Sequence, residues 1–336
     1  MSEKKMTSIG GQAIIEGVMM KGPDKLAMAV RKPDGEIIIE KRDVKKKNLF
    51  FKIPIIRGVF AFVDSLVTGV EAIMFSAQFY DEDGNPLEDK KDVEKEKKTK
   101  KETKKETKKE TKKDSKKKKD KKKDEGTLTT GMMYFSVVLS VILSVLLFIA
   151  LPNFIAGLVV DKESGIVLYN AIESTVKILI FVGYIVLVSQ MKDIQRVFQY
   201  HGAEHKSIFC YENGEELTVE NIKKYTRFHP RCGTSFLLFV MIVSIIVFSL
   251  IGRFDSKLLN VLIRIALMPI IAGLSYEIIR FAGRNVDNKW VSWLSKPGLW
   301  LQRLTTREPD ASQIEVAIAS LKAVITENGK LDDWGN

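Results

Sequence analysis

Four long apolar segments decide what this chain can become. Met132 to Leu151 runs for twenty residues without a charge, and Thr234 to Ile251 is equally free of charge. Val167 to Gln190 is interrupted by Glu173 and Lys177, and Leu258 to Ala282 contains Arg264, Pro269, Glu277 and Arg280. A hydrocarbon core about 30 Å thick is crossed by about 20 helical residues, the length of these segments. A charge at the bilayer centre costs roughly 2.5 kcal/mol or more, so the second and fourth segments should turn their charges into the bundle or toward an interface. The expected fold is a mainly α, polytopic membrane protein with about four transmembrane helices across residues 127–282.

Orientation follows from where Lys and Arg accumulate. The short connections, Pro152 to Ile166 and Gly252 to Lys257, hold only Lys162, Arg253 and Lys257. The loop 191–233 holds Lys192, Arg196, Lys206, Lys223, Lys224, Arg227 and Arg231. That loop and both termini are expected in the cytoplasm, with the protein in the cell membrane. No signal peptide is expected, because Met1 to Lys5 is polar and no apolar stretch follows it closely.

Residues 1–50 read as a small antiparallel β unit. Ala13 to Met20, Leu26 to Arg31 and Ile37 to Ile39 are apolar runs punctuated by Lys21-Gly22-Pro23-Asp24 and Lys32-Pro33-Asp34-Gly35. So small a unit should dock on something to bury its faces. Residues 51–80 then read as an amphipathic helix, with Arg57, Asp64, Glu71 and Gln78 recurring every seven residues on one stripe. Two placements remain open: a helix at the interface with its stripe in water, which the spacing favours, or one inserted against the bundle with the stripe lining a polar site.

Residues 81–126 form a Lys-rich linker expected to be disordered. Lys90 to Glu125 holds 20 Lys against 10 Asp and Glu, a net +10 of the chain's +11, and three exact Lys-Lys-Glu-Thr units lie within it. The basic balance therefore belongs to one insert and points to no specific nucleic acid partner. A solvated spacer is the plain reading, and attraction to anionic lipid headgroups or RNA is the alternative.

The C-terminal part, 283–336, reads as a cytoplasmic amphipathic tail. Trp290, Trp293 and Trp300 suggest an interfacial segment. Asp310 is placed to cap a soluble helix that presents Ile314, Ile318, Leu321 and Ile325 on one face.

The candidate site is a cluster of rare residues. The chain's three histidines, His201, His205 and His229, and its two cysteines, Cys210 and Cys232, all fall between positions 201 and 232. The helix entering this region is expected to continue past Gln190. Then His201 and His205, four residues apart, lie on the apolar face of Ile194, Val197, Phe198, Ile208 and Phe209, with Lys192, Gln195, Gln199 and Lys206 opposite. Buried imidazoles need partners, and a metal would supply them. His-x-x-Glu-His is also the spacing of one class of zinc peptidases, in which the Glu is general base. Glu204 would take that role, and His229, Cys232 or Glu277 would complete the ligand set. The plainer alternatives are satisfied core histidines, a small buried Cys232, and an ion pair between Glu277 and Arg280.

Four stretches carry a resemblance. Gly10 to Met20, Tyr200 to Lys206, His229 to Ser235 and Thr305 to Pro309 together resemble the YqhQ-like family of bacterial membrane proteins, a family of unknown function labelled a predicted metal-dependent enzyme. The resemblance covers nearly the whole chain except the Lys-rich insert. It implies that Glu16 belongs to the site.

The function expected is a metal-dependent membrane enzyme, a hydrolase at the cytoplasmic interface, with zinc as the divalent metal because of the His/Cys set. Its substrate would be membrane-associated, and membrane lipid its surroundings. The alternatives are a non-enzymatic assembly factor or scaffold for a protein partner, with a structural metal or a hydrogen-bonded cluster, and a transporter, which with four spans would need a homo-oligomer.

Overall fold

The computed structural model describes residues 6–44, 53–80, 135, 138–160, 165–251, 254, 256–285 and 288–325. The segment expected as a Lys-rich linker lies outside them, as do Met1 to Lys5, Lys162 and Arg253. Four strands, β1 (Gly10–Ile14), β2 (Gly17–Lys21), β3 (Lys25–Arg31) and β4 (Ile37–Asp43), form an antiparallel meander in sequence order. Helix α1 spans Ile56–Ser76. Two apolar helices follow: α2, Val138–Val159 with a π-helical turn at Leu146–Ala150, and α3, Ile166–Val188. Next come α4 (Lys192–Glu212), the short α5 (Val219–Lys223), α6 (Gly233–Ile251) and α7 (Lys257–Arg284). The described chain closes with α8 (Lys289–Thr305) and α9 (Ala311–Val324).

Five of these helices, α1, α2, α3, α6 and α7, are long and apolar enough to cross a membrane. This is a membrane protein. The four expected spans are present, and α1 is the fifth apolar helix. Charges in α3 and α7 turn inward as expected: Glu173 and Arg264 are buried and paired, with Lys177 3.8 Å from Glu173. Their partners replace the water that neither could keep in hydrocarbon.

The β unit begins differently from the expectation. Ala13 to Met20 is not one run: the chain reverses at Ile15-Glu16, pairing Ile14 with Gly17. Glu16 takes a positive φ of 50°, an unusual conformation for a residue with a Cβ. Its side chain is held by Arg196 (Nη2–Oε2 2.6 Å) and by the Tyr200 hydroxyl at 3.1 Å, and its carbonyl accepts from the Arg31 amide.

Both faces of the sheet are covered. Val18, Met20, Ala27 and Ala29 pack with Tyr200, Ala203 and Ile208 of α4 and Ile314 and Leu321 of α9. The alternating set, Met19, Leu26, Met28 and Val30, packs with Ala72 and Phe75 of α1. Burial on both faces explains why β2 and β3 read as continuous apolar runs. Asp310 caps α9 as expected, in a reciprocal capping box with Gln313.

Helix α1 combines the two placements weighed for it. Its polar stripe is paired yet still partly in water: Asp64, 41% exposed, pairs with Lys21 at 2.7 Å, Glu71, 53% exposed, pairs with Arg42 at 2.7 Å, and Arg57 pairs with Glu277 of α7. The opposite side, with Val63, Leu66, Val67, Val70, Ile73 and Met74, is exposed and apolar. One helix thus ties the sheet to α7 and presents a greasy outer face.

Candidate metal centre

The helix expected to run on past Gln190 breaks there. Ser189 to Met191 forms a turn, and Met191 is extended (ψ 131°), so α4 starts afresh at Lys192 in its own direction. Its face assignment also changes. Lys206, expected on the open side, is buried and pairs with Glu308 at 2.5 Å. The reason is that 305–309 wraps the side of α4 away from the sheet: the Arg307 amide donates to the Phe198 carbonyl at 2.8 Å. This close approach requires Gly202, where a Cβ would stand 2.0 Å from the Arg307 carbonyl oxygen.

Within α4 the two expected histidines converge, with ring centroids 4.4 Å apart. His201 Nδ1 lies 2.9 Å from the Thr305 carbonyl, and His205 Nδ1 2.5 Å from the Arg227 carbonyl. A carbonyl only accepts, so each Nδ1 carries the proton and each Nε2 keeps its lone pair when the ring is neutral. His201 Nε2 is 3.2 Å from Cys232 Sγ. One ligand atom from each of His201, His205 and Cys232 lies within 4.8 Å of the others. Tetrahedral zinc with ordinary Zn–N and Zn–S lengths sets its ligand atoms about 3.5 Å apart, so the trio needs little adjustment to close on one ion. Imidazoles oriented by backbone carbonyls are the usual outer support of metal-binding histidines.

Electrostatics favour the ligating form of the sulfur. Burial raises the Cys232 thiol, but His201 and His205 outweigh burial and hold it well below its usual range. Burial pulls His201 down, but Cys232, Glu204 and the Thr305 carbonyl together outweigh it and bring the ring to about 9. The Thr234 amide, in the first turn of α6, also points at Sγ from 3.4 Å.

Glu204 stands beside the trio. It is buried, its Oε2 has no hydrogen-bond partner among the described residues, and burial raises its carboxyl above the usual range. Gly11 of β1 makes room for it, since a Cβ there would be 2.9 Å from the Glu204 carboxyl carbon. Gly11 thus lets the sheet edge approach the site.

The other expected site residues give no donor to the trio, although His229 lines the same cavity with its ring 5.5 Å from that of His205. His229 is not among the converging donors: its Nε2 turns to Glu212 at 3.7 Å, its Nδ1 accepts from the Arg231 amide, and burial lowers it to about 4. Glu277 is engaged by Arg57 and by the Ile55 amide, which replaces the expected Glu277–Arg280 pair. Neither Glu277 nor Arg280 lines the cavity over the centre. Cys210 faces the Glu216 carbonyl at 3.5 Å, with burial raising its thiol to about 11. Glu16 anchors the β1–β2 turn to α4 through Arg196 and Tyr200 and contributes no ligand atom to the trio.

Sequence reasoning missed three supports. Gln302 clamps the loop before Cys232 by bonding both the amide and the carbonyl of His229 (2.8 and 2.7 Å). Glu212 gathers Arg231, His229 and the Thr7 amide. The Thr305 and Arg227 carbonyls orient the imidazoles.

Residues 53–327 match the model of a family described as "Protein of unknown function (DUF1385)". The chain belongs to this family. It is also similar to "Uncharacterized protein YqhQ" of Bacillus subtilis (strain 168), with 37% identity over 329 residues that cover 97% of this chain and 95% of the relative. No solved structure matches the chain. Neither description names a metal or a reaction, so for this DUF1385 member the expected metal-dependent label has no support beyond the geometry above.

Proposed function

We propose that the protein is a zinc-dependent hydrolase working on a membrane-associated substrate at the cytoplasmic ends of its helices. It would sit in the cell membrane as a multi-pass protein with both termini and the loop 191–233 in the cytoplasm, as the distribution of Lys and Arg suggests. The observation that carries the reading is the joint orientation of three soft donors. Both imidazoles give Nδ1 to a carbonyl, His201 holds Nε2 3.2 Å from the Cys232 sulfur, and His205 brings a ring nitrogen within 4.8 Å of both.

In this reading His201, His205 and Cys232 hold the ion, a donor set that suits zinc. Bound there, zinc would supply a Lewis acid that polarises a substrate oxygen and brings the pKa of water to about 7. Glu204 would accept a proton from the attacking water and return it to the leaving group, for which a carboxyl raised toward neutrality by burial is suited. A purely structural, closed site fits less well, because Glu204 brings an unpartnered carboxylate oxygen beside three donors rather than a fourth satisfied ligand.

The test is the zinc content of the purified protein, with His201→Ala and Glu204→Gln beside wild type. Stoichiometric zinc in wild type and Glu204→Gln, its loss in His201→Ala, and loss of cellular function in both variants are expected. Wild-type protein prepared without chelator that carries no metal would remove the proposal.

A further inference from the structure

The cavity over the centre has two unlike walls. Its polar end is formed by His201, Glu204, His205 and Cys232, and its volume is about 390 Å³. The other wall belongs to the apolar helices: Ala61, Phe62 and Leu66 of α1, Phe236 of α6, and Tyr276 and Ile279 of α7. Phe62 and Phe236 lie ring against ring at 5.6 Å across it.

Exposed Gly10, Gly11 and Gly233 open the cavity at its polar end, and a second opening lies at Ser65 and Leu66. Ser65 and Leu66 are both exposed, and Leu66 also belongs to the apolar outer face of α1. This second opening leads from the metal centre to the side of α1 that, among the described residues, neither the sheet nor α7 covers. An exposed apolar helix face in a membrane protein meets hydrocarbon, and a passage opening on it is entered from lipid.

We infer that the cavity takes the acyl chain of a membrane lipid, entering between α1 and the α6–α7 pair and setting the chain's polar end against His201, Glu204, His205 and Cys232. The inference deepens the hydrolase reading, on which it rests for what happens at the polar end. Size separates an acyl chain from the other occupant such a mouth could admit, a transmembrane peptide helix. A helix is about 10–12 Å wide, whereas Phe62 of α1 and Phe236 of α6 face each other at 5.6 Å, so the passage between these helices is too narrow for one. An acyl chain is narrower than any helix, and the volume lies within the usual range of small-molecule sites.

The test places the full chain in phosphatidylglycerol–phosphatidylcholine vesicles containing a phospholipid with a photoreactive diazirine on its acyl chain. Labelled peptides are mapped for wild type, Ala61→Trp and Leu66→Trp, and zinc is measured in the same preparations. Label on peptides carrying Phe236 or Tyr276, falling to background in both variants while zinc and elution volume stay as in wild type, is expected. Two Trp variants are used because Ala61→Trp could disturb packing, whereas Leu66 has an exposed side chain. Equal labelling of Phe236 and Tyr276 in wild type and Leu66→Trp overturns the inference, as does label confined to outer-face peptides. A labelled cavity without zinc sinks the hydrolase and leaves the lipid site standing. Zinc without cavity label does the reverse.

Discussion

Nε2 of His201 faces Sγ of Cys232 at 3.2 Å, while Nδ1 of the same ring is fixed by the Thr305 carbonyl at 2.9 Å. The imidazole is therefore oriented from behind by α8 and meets the sulfur edge-on. That geometry gives the sulfur a role that oxygen cannot copy in cobalt. Protein loaded with Co(II) should show a thiolate-to-cobalt charge-transfer band in the near ultraviolet. Cys232→Ser should lose this band and weaken metal affinity by about 10- to 100-fold or more, since even outer-shell changes cost that much. A band that persists in Cys232→Ser would assign the sulfur elsewhere.

Gly202 sets two glycine effects against each other. In a helix interior, alanine is ordinarily favoured over glycine by about 0.5–1 kcal/mol. Here the added carbon would stand 2.0 Å from the Arg307 carbonyl oxygen. Relieving that overlap moves the 305–309 segment off α4 and takes the Thr305 carbonyl with it. Gly202→Ala should therefore destabilise by about 1–3 kcal/mol, the usual cost of overpacking. Gly183→Ala, where nothing lies within 4 Å of the new carbon, serves as control and should be neutral or stabilising. Thermal melts in detergent decide, and a higher midpoint for Gly202→Ala would refute the packing argument.

The four central spans were legible because charge-free length is a property of local sequence, and the inward turn of Glu173 and Arg264 followed from the cost of charge in lipid. The turn at Ile15-Glu16 was not, because it contains none of the Gly, Asn or Asp that mark tight turns, and its stabilisers, Arg196 and Tyr200, are far along the chain. His201 and His205 were legible from their four-residue spacing. His229 misled because nearness in sequence to Cys232 says nothing of ring direction, which Glu212 and Arg231 set. The carbonyls of Thr305 and Arg227 are backbone groups that any residue could supply, so no residue type announces them.

His229 makes stability depend on pH. Burial depresses its pKa from the ordinary 6.5 to about 4, so the folded state holds the ring neutral where the unfolded chain would protonate it. The unfolded state then binds more protons as pH falls from 6.5 to about 4, and folding loses about 3 kcal/mol across that window and nothing above it. Glu212, held below its usual range by His229 and Arg231 against the opposing effect of burial, loses its contribution only as pH falls through its own lower value. Melting midpoints measured from pH 8 to pH 4 should fall below about 6.5, and His229→Gln should flatten the curve between 6.5 and 4. An unchanged slope in that variant would locate the titration in another group.

The pair of Arg57 and Glu277 joins α1 to α7, with Arg57 Nε 2.7 Å from Oε1 and the second contact from Nη2 to Oε2. About a quarter of each side chain is exposed (25% and 23%). Exposed pairs contribute about 0–1 kcal/mol, and breaking buried ones costs about 3–5, so this half-buried, two-pronged pair should couple by about 1–2 kcal/mol. Its neighbours permit no easy substitute: a Cβ on Gly58 would meet the Gly273 backbone at 2.8 Å, so the two helices touch too closely for α1 to slide and find another carboxylate. A double-mutant cycle of Arg57→Met and Glu277→Gln, read by denaturation in detergent, should therefore show the double variant less destabilised than the sum of the singles. Strict additivity would mean that glycine packing alone holds α1 against α7. Either single variant should also loosen the α1 wall of the cavity while leaving zinc in place, since neither residue lies among the three converging donors.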